Sequence, residues 1–99
     1  MNTLFEAYNS ESNDFPLIGF YISDIGPFAE KIVECLDIKG KKSGKVSLLL
    51  VDLLGGGVAS HMLSVEDLKK YRMVPRSLFT IEQNLALKER WQDYEMLKN

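Results

Sequence analysis

The sequence predicts a small α+β domain, built on a three- or four-stranded sheet with a β-α-β start, a glycine-turn hairpin and a long C-terminal helix. Three observations point there. The run 45–54, Lys-Val-Ser-Leu-Leu-Leu-Val-Asp-Leu-Leu, is apolar at both parities; Gly55, Gly56 and Gly57 follow it at once; and 81–97 contains neither Gly nor Pro. In an extended run Val46, Leu48, Leu50 and Leu54 face one side and Leu49, Val51 and Leu53 the other, so this strand needs cover on both faces. The chain of 99 residues has room for one domain with one modest core.

Along the chain, 9–14 (Asn-Ser-Glu-Ser-Asn-Asp) is polar and aperiodic, so 1–14 reads as a loose N-terminal arm and 15–99 as the domain. Aromatic and branched residues dominate 15–23, which predicts a strand with Pro16 at its start or on an edge. Ile25, Phe28, Ala29, Ile32, Val33 and Leu36 recur at helical spacing. They predict a helix that starts at Asp24 or Gly26, tolerates Pro27 in its first turn and ends at Gly40. A helix joining 15–23 to 45–54 is long enough for a crossover, which makes the two strands a parallel pair.

The three glycines permit positive backbone dihedrals and suit a reversal into a third strand over 58–63. Ser64 with Asp67, three residues on, is a capping-box pattern that predicts a short helix or turn over 65–71, ended by Pro75. Thr80 with Gln83 is a second such pair and opens the long helix over 81–97. Its apolar residues form two sets: Ile81, Leu85 and Met96 on one side, Leu87, Trp91 and Tyr94 on another. An alternative architecture is a small open β-barrel plus helices, in which 46–63 is a hairpin and 73–79 adds a strand.

Charge is unevenly laid out. Residues 1–38 hold seven acids and one base, 39–45 hold four lysines and no acid, and 46–99 hold seven of each, for a formal net charge of −2. An acidic domain repels polyanions on average, so nucleic acid and anionic membranes are disfavoured as partners. The lysines Lys39, Lys41, Lys42 and Lys45 form a basic loop that can touch phosphates as point charges, and nucleic-acid binding there is an alternative function. Cys35 is the only cysteine, so no intrachain disulfide or cysteine cluster can form. The first residues lack the basic start and apolar core of a secretory signal, and the 46–54 run is too short to span a membrane. A cytoplasmic location is expected.

No catalytic constellation is legible, and the chain is expected to be no enzyme, with no cofactor and no metal. The 51–57 segment, Val-Asp-Leu-Leu-Gly-Gly-Gly, resembles the first motif of methyltransferases that use S-adenosylmethionine, with spacing that departs by one residue. A plain turn explains it as well. His61 is the only histidine. Beside Gly55, Gly56 and Gly57, or paired with Cys35, Ser60 or Ser64, it would make a small ligand site or a nucleophile and base, the second alternative. The leading expectation is a protein-interaction module, an adaptor, inhibitor or accessory subunit, acting through the C-terminal helix and self-associating, as a homodimer. A single sheet face cannot cover both apolar sets, so Ile81, Leu85, Leu87, Trp91, Tyr94 and Met96 are the candidate contact residues.

Overall fold

The computed structural model describes residues 3–9, 19–40 and 44–98, with side chains described as far as Arg90. Helix α1 (Leu4–Asn9) is followed by strands β1 (Phe20–Ile22), β2 (Val33–Gly40), β3 (Lys45–Asp52) and β4 (Val58–Ser64). A 3-10 helix (Val65–Lys70), strand β5 (Arg72–Met73), a second 3-10 helix (Arg76–Leu78) and helix α2 (Ile81–Lys98) complete the chain. The strands form one five-stranded sheet in the order β4-β3-β2-β1-β5. Every pairing is antiparallel.

The leucine-rich strand β3 is interior, flanked by β4 and β2, and its two faces are covered unequally. Val46, Leu48 and Leu50 are all at most 1% exposed, packed with Tyr21, Val33, Cys35, Leu63, Leu68 and Tyr71. This face is closed by α1, by the 3-10 helix after β4 and by the loop 24–31, which contributes Ile25 and Phe28. Leu4 of α1 is fully buried, and its N–H donates to the Tyr71 carbonyl at 2.8 Å. Thus 4–9, within the segment expected as a loose arm, is helical; residues 1–2 and 10–14 of the arm and 15–18 of the first predicted strand lie outside the described residues. On the opposite face Val51 is buried while Ser47 and Leu49 are half-buried. Cover there comes from a second, smaller cluster of Phe20, Leu53, Phe79 and Leu87, with the Phe20 and Phe79 rings edge to face at 5.1 Å.

The predicted helix through Ile25, Phe28, Ala29, Ile32, Val33 and Leu36 does not form, and with it the β-α-β start is overturned. Residues 24–31 are turns and Val33–Gly40 is β2. Gly26 (φ +90°) and Glu30 (φ +66°) take left-handed conformations that interrupt any right-handed helix, and Glu30 N donates to Ser23 O. The apolar spacing was ambiguous: Val33 and Cys35 also alternate at period two, and both are buried against the sealed face. Ile32, Val33 and Ile38 are β-branched, which favours the strand. With a short loop in place of a crossover helix, β1 and β2 pair antiparallel, Tyr21 opposite Val33. Leu36 is the extra residue of a β-bulge, since Cys35 faces Leu50 and Asp37 faces Leu49.

β3 and β4 are antiparallel neighbours joined by 53–57, where Asp52 N donates to Gly57 O and Gly56 N to Asp52 O, both at 2.8 Å. Gly56 has φ +74°, a conformation glycine adopts without steric cost. The first capping pair acts as its spacing suggests: Ser64 Oγ accepts from Asp67 N at 3.3 Å, at the head of the 3-10 helix. The chain from Arg72 onward departs from the barrel alternative, because β5 holds only two residues and Arg76–Leu78 is a 3-10 turn.

Candidate functional site

Helix α2 begins with a reciprocal cap. Gln83 N donates to Thr80 Oγ1 at 3.1 Å and Thr80 N donates to Gln83 Oε1 at 2.8 Å, so two backbone donors that a helix start leaves free are satisfied. Two side chains then hold the helix to the sheet. Leu87 is fully buried against Phe20, Leu53 and Phe79. Arg90 Nη1 donates to Glu34 Oε1 at 2.8 Å and Nη2 to the Leu53 carbonyl at 2.7 Å, with both charged side chains about 85% buried. A guanidinium suits this position because its planar fork reaches a carboxylate and a carbonyl together.

At 100° per residue Gln83, Leu87 and Arg90 lie within about 60° of one another, and Ile81 and Leu85 lie on the opposite side of the helix. Ile81 is 81% exposed and Leu85 56%. Leu78, in the turn just before, is 70% exposed. Of the six contact residues expected from sequence, Leu87 is therefore core, while Ile81 and Leu85 form an apolar stripe in water. Trp91, Tyr94 and Met96 lie on α2, and their side chains are outside the described part.

The remaining candidates are dispersed. Lys39 is the penultimate residue of β2 and Lys45 begins β3, both exposed, with Lys39 Nζ 3.9 Å from Asp37 Oδ2; Lys41 and Lys42 lie outside the described residues. His61 is on β4, its Nδ1 2.8 Å from the buried Tyr71 hydroxyl. Burial holds this ring below its ordinary pKa of 6.5, the Asp67 carboxylate pulling the other way. Gly26 closes over the pair: a Cβ there would overlap the Tyr71 hydroxyl and lie 2.9 Å from His61 Nδ1. Gly57 is four residues back along the chain, about 13 Å at strand rise, so His61 and the glycine loop do not form one site. Burial pushes the Cys35 thiol up to about 12, which leaves it protonated and unreactive near neutrality. Ser64 is engaged in its cap.

Beside the glycine loop a cleft of about 550 Å³ is lined by Ile22, Glu30, Lys31, Ile32, Asp52, Leu53, Leu54, Gly55 and Gln83. Its charges are mixed, and Lys31 Nζ stands 3.9 Å from Asp52 Oδ2. Glycine at 55 gives Asp52 its place, since a Cβ would sit 2.6 Å from Oδ2. Among the described residues no cluster of three or more His, Cys, Asp or Glu could hold a metal, and no helix is long and apolar enough to cross a membrane. No protein-family model, curated protein or solved structure matches the chain.

Sequence reasoning missed Arg90 as the anchor of α2, because its partners Glu34 and Leu53 are 56 and 37 residues away in the chain. It also missed Val58 and Met62, 63% and 59% exposed on β4. Their period-two alternation with Ala59, His61 and Leu63 was the available signal.

Proposed function

We propose that this chain is a non-enzymatic protein-interaction module, an adaptor, inhibitor or accessory subunit, that docks an apolar surface of a partner protein through the outward face of α2. One observation carries the reading: Ile81 and Leu85 stand in water on the side of the helix opposite Leu87 and Arg90. Covering two large aliphatic side chains removes apolar area from water at roughly 25 cal/mol per Å². The helix beneath them is already fixed by Leu87, Arg90 and its N-terminal cap, so docking costs little ordering. A buried thiol and a histidine occupied by Tyr71 offer no nucleophile and base pair, which favours binding over catalysis.

Affinity capture from native extract, comparing the wild-type chain with the I81E/L85E variant, tests the proposal. Both positions are exposed, so the variant keeps its fold and melting temperature. The expected result is a protein retained by the wild type and lost by the variant. Identical retention by both removes α2 as the docking face.

A further inference from the structure

We propose that β4 is the seam of a homodimer, in which two copies pair antiparallel edge to edge about a twofold axis at Ser60 and continue one sheet into the next. This inference does not rest on the α2 reading. The two edges of the sheet differ. β5 has two residues, and Thr3 bridges to Arg72 beside it. β4 has seven residues, and no strand among the described residues pairs with its outer side. Natural edge strands are commonly protected by charge, proline or a bulge. The segment 58–64, Val-Ala-Ser-His-Met-Leu-Ser, has no Lys, Arg, Asp, Glu or Pro, and its register against β3 is unbroken from Lys45↔Ser64 to Val51↔Val58.

Hydrogen-bond parity identifies the free groups. At the ends of the β3–β4 ladder Asp52 N donates to Gly57 O and Val65 N donates to Gly44 O. Hydrogen-bonded and non-hydrogen-bonded pairs alternate in an antiparallel ladder, so Ala59, His61 and Leu63 exchange their bonds with β3. Val58, Ser60 and Met62 aim their N–H and C=O outward. Their side chains share one face, where Val58 and Met62 are 63% and 59% exposed.

A second copy fits this edge because the strand is complementary to itself. With the axis at Ser60, Val58 lies across from Met62 of the partner subunit and Ser60 across from its own counterpart. The residues with outward-facing backbone groups then meet one another, and each pair exchanges two hydrogen bonds. Apolar meets apolar at both ends of the seam, and no charge opposes its own sign across it. A self-matching patch of this kind is what a twofold interface requires.

Light scattering and sedimentation across a concentration series test the seam, with V58K, M62E and V58K/M62E. Both substitutions are on exposed side chains, and circular dichroism checks that each of the three variants is native. The expected wild-type result is a dimer that dissociates on dilution. Either single variant weakens it by about tenfold or more, since each change is made twice per dimer. The combined variant restores it, because the assumed register sets opposite charges across the axis at both ends. A wild-type chain monomeric throughout, a dimer indifferent to both single changes, or a combined variant weaker than either single one overturns the seam. Loss of the dimer in I81E/L85E with V58K neutral overturns it in favour of α2; failure of the capture experiment alone leaves it standing.

Discussion

The two faces of the sheet are lined by alternate residues of the same strands, yet they are finished differently. On one, Val46, Leu48 and Leu50 meet a lid made of α1, a 3-10 helix and a compact loop, and all three are at most 1% exposed. On the other, cover is concentrated at the Val51–Leu53 end, where Leu87 and Arg90 bring α2 down, while Leu49 is half-buried and Val58 and Met62 are exposed. The contrast separates two uses of apolar residues. The sealed face holds the fold together, and the part-covered face, with the outward side of α2, leaves apolar surface in water.

That division is sharpest in truncations. Leu50→Ala on the sealed face removes a side chain 1% exposed and is expected to cost about 3 kcal/mol, through lost transfer energy and a residual cavity. Met62→Ala, on the other face of the neighbouring strand and 59% exposed, is expected to cost less than about 0.5 kcal/mol. Urea unfolding of the two variants reads the difference, and equal losses would break the comparison. Arg90→Ala comes next, with an expected loss of about 2–3 kcal/mol because Glu34 is left as an unpaired, largely buried carboxylate. Pairing it with Glu34→Ala in a double-mutant cycle should recover part of that loss.

Gly26→Ala probes how tightly the lid fits the sealed face. A side chain at φ +90° is strained, and its Cβ would press on the Tyr71 hydroxyl and His61, so a loss of about 2 kcal/mol is expected in the same unfolding assay. The smallest effect is with pH. The His61 ring is less basic folded than unfolded, so its contribution is full above about pH 6.5 and is lost as pH falls toward the folded value. Stability should therefore decline more steeply on acidification in the wild type than in His61→Gln, which removes the titration; parallel declines would show that the ring is not held neutral by its burial.

Much of the architecture was legible in local sequence where one signal stood alone. The run 45–54 could be placed as an interior strand, which the structure forms over Lys45–Asp52, because both its parities are apolar. The Thr80 and Gln83 pair marked the start of α2, since a capping box is purely local chemistry. The segment 25–36 misled because its apolar residues satisfy two periods, and a tertiary choice between them was made by Gly26, Glu30 and the neighbouring strands. The candidate surface was legible only in part. Two apolar sides of the last helix could be read from spacing, but which one meets the sheet depends on Arg90, Glu34 and Leu53, brought together from distant parts of the chain. The β4 edge was not legible, because being an edge is a property of the whole sheet order.

The most direct measurement is residue-level covalent footprinting of the dilute, native protein with a small carbene reagent that modifies aliphatic side chains. Unequal cover predicts strong labelling at Val58, Met62, Ile81 and Leu85, with Val46, Leu48, Leu50 and Leu87 left unmodified. Labelling of Leu48 and Met62 to the same extent, or protection of Ile81 and Leu85 at concentrations where the chain is monomeric, would contradict it.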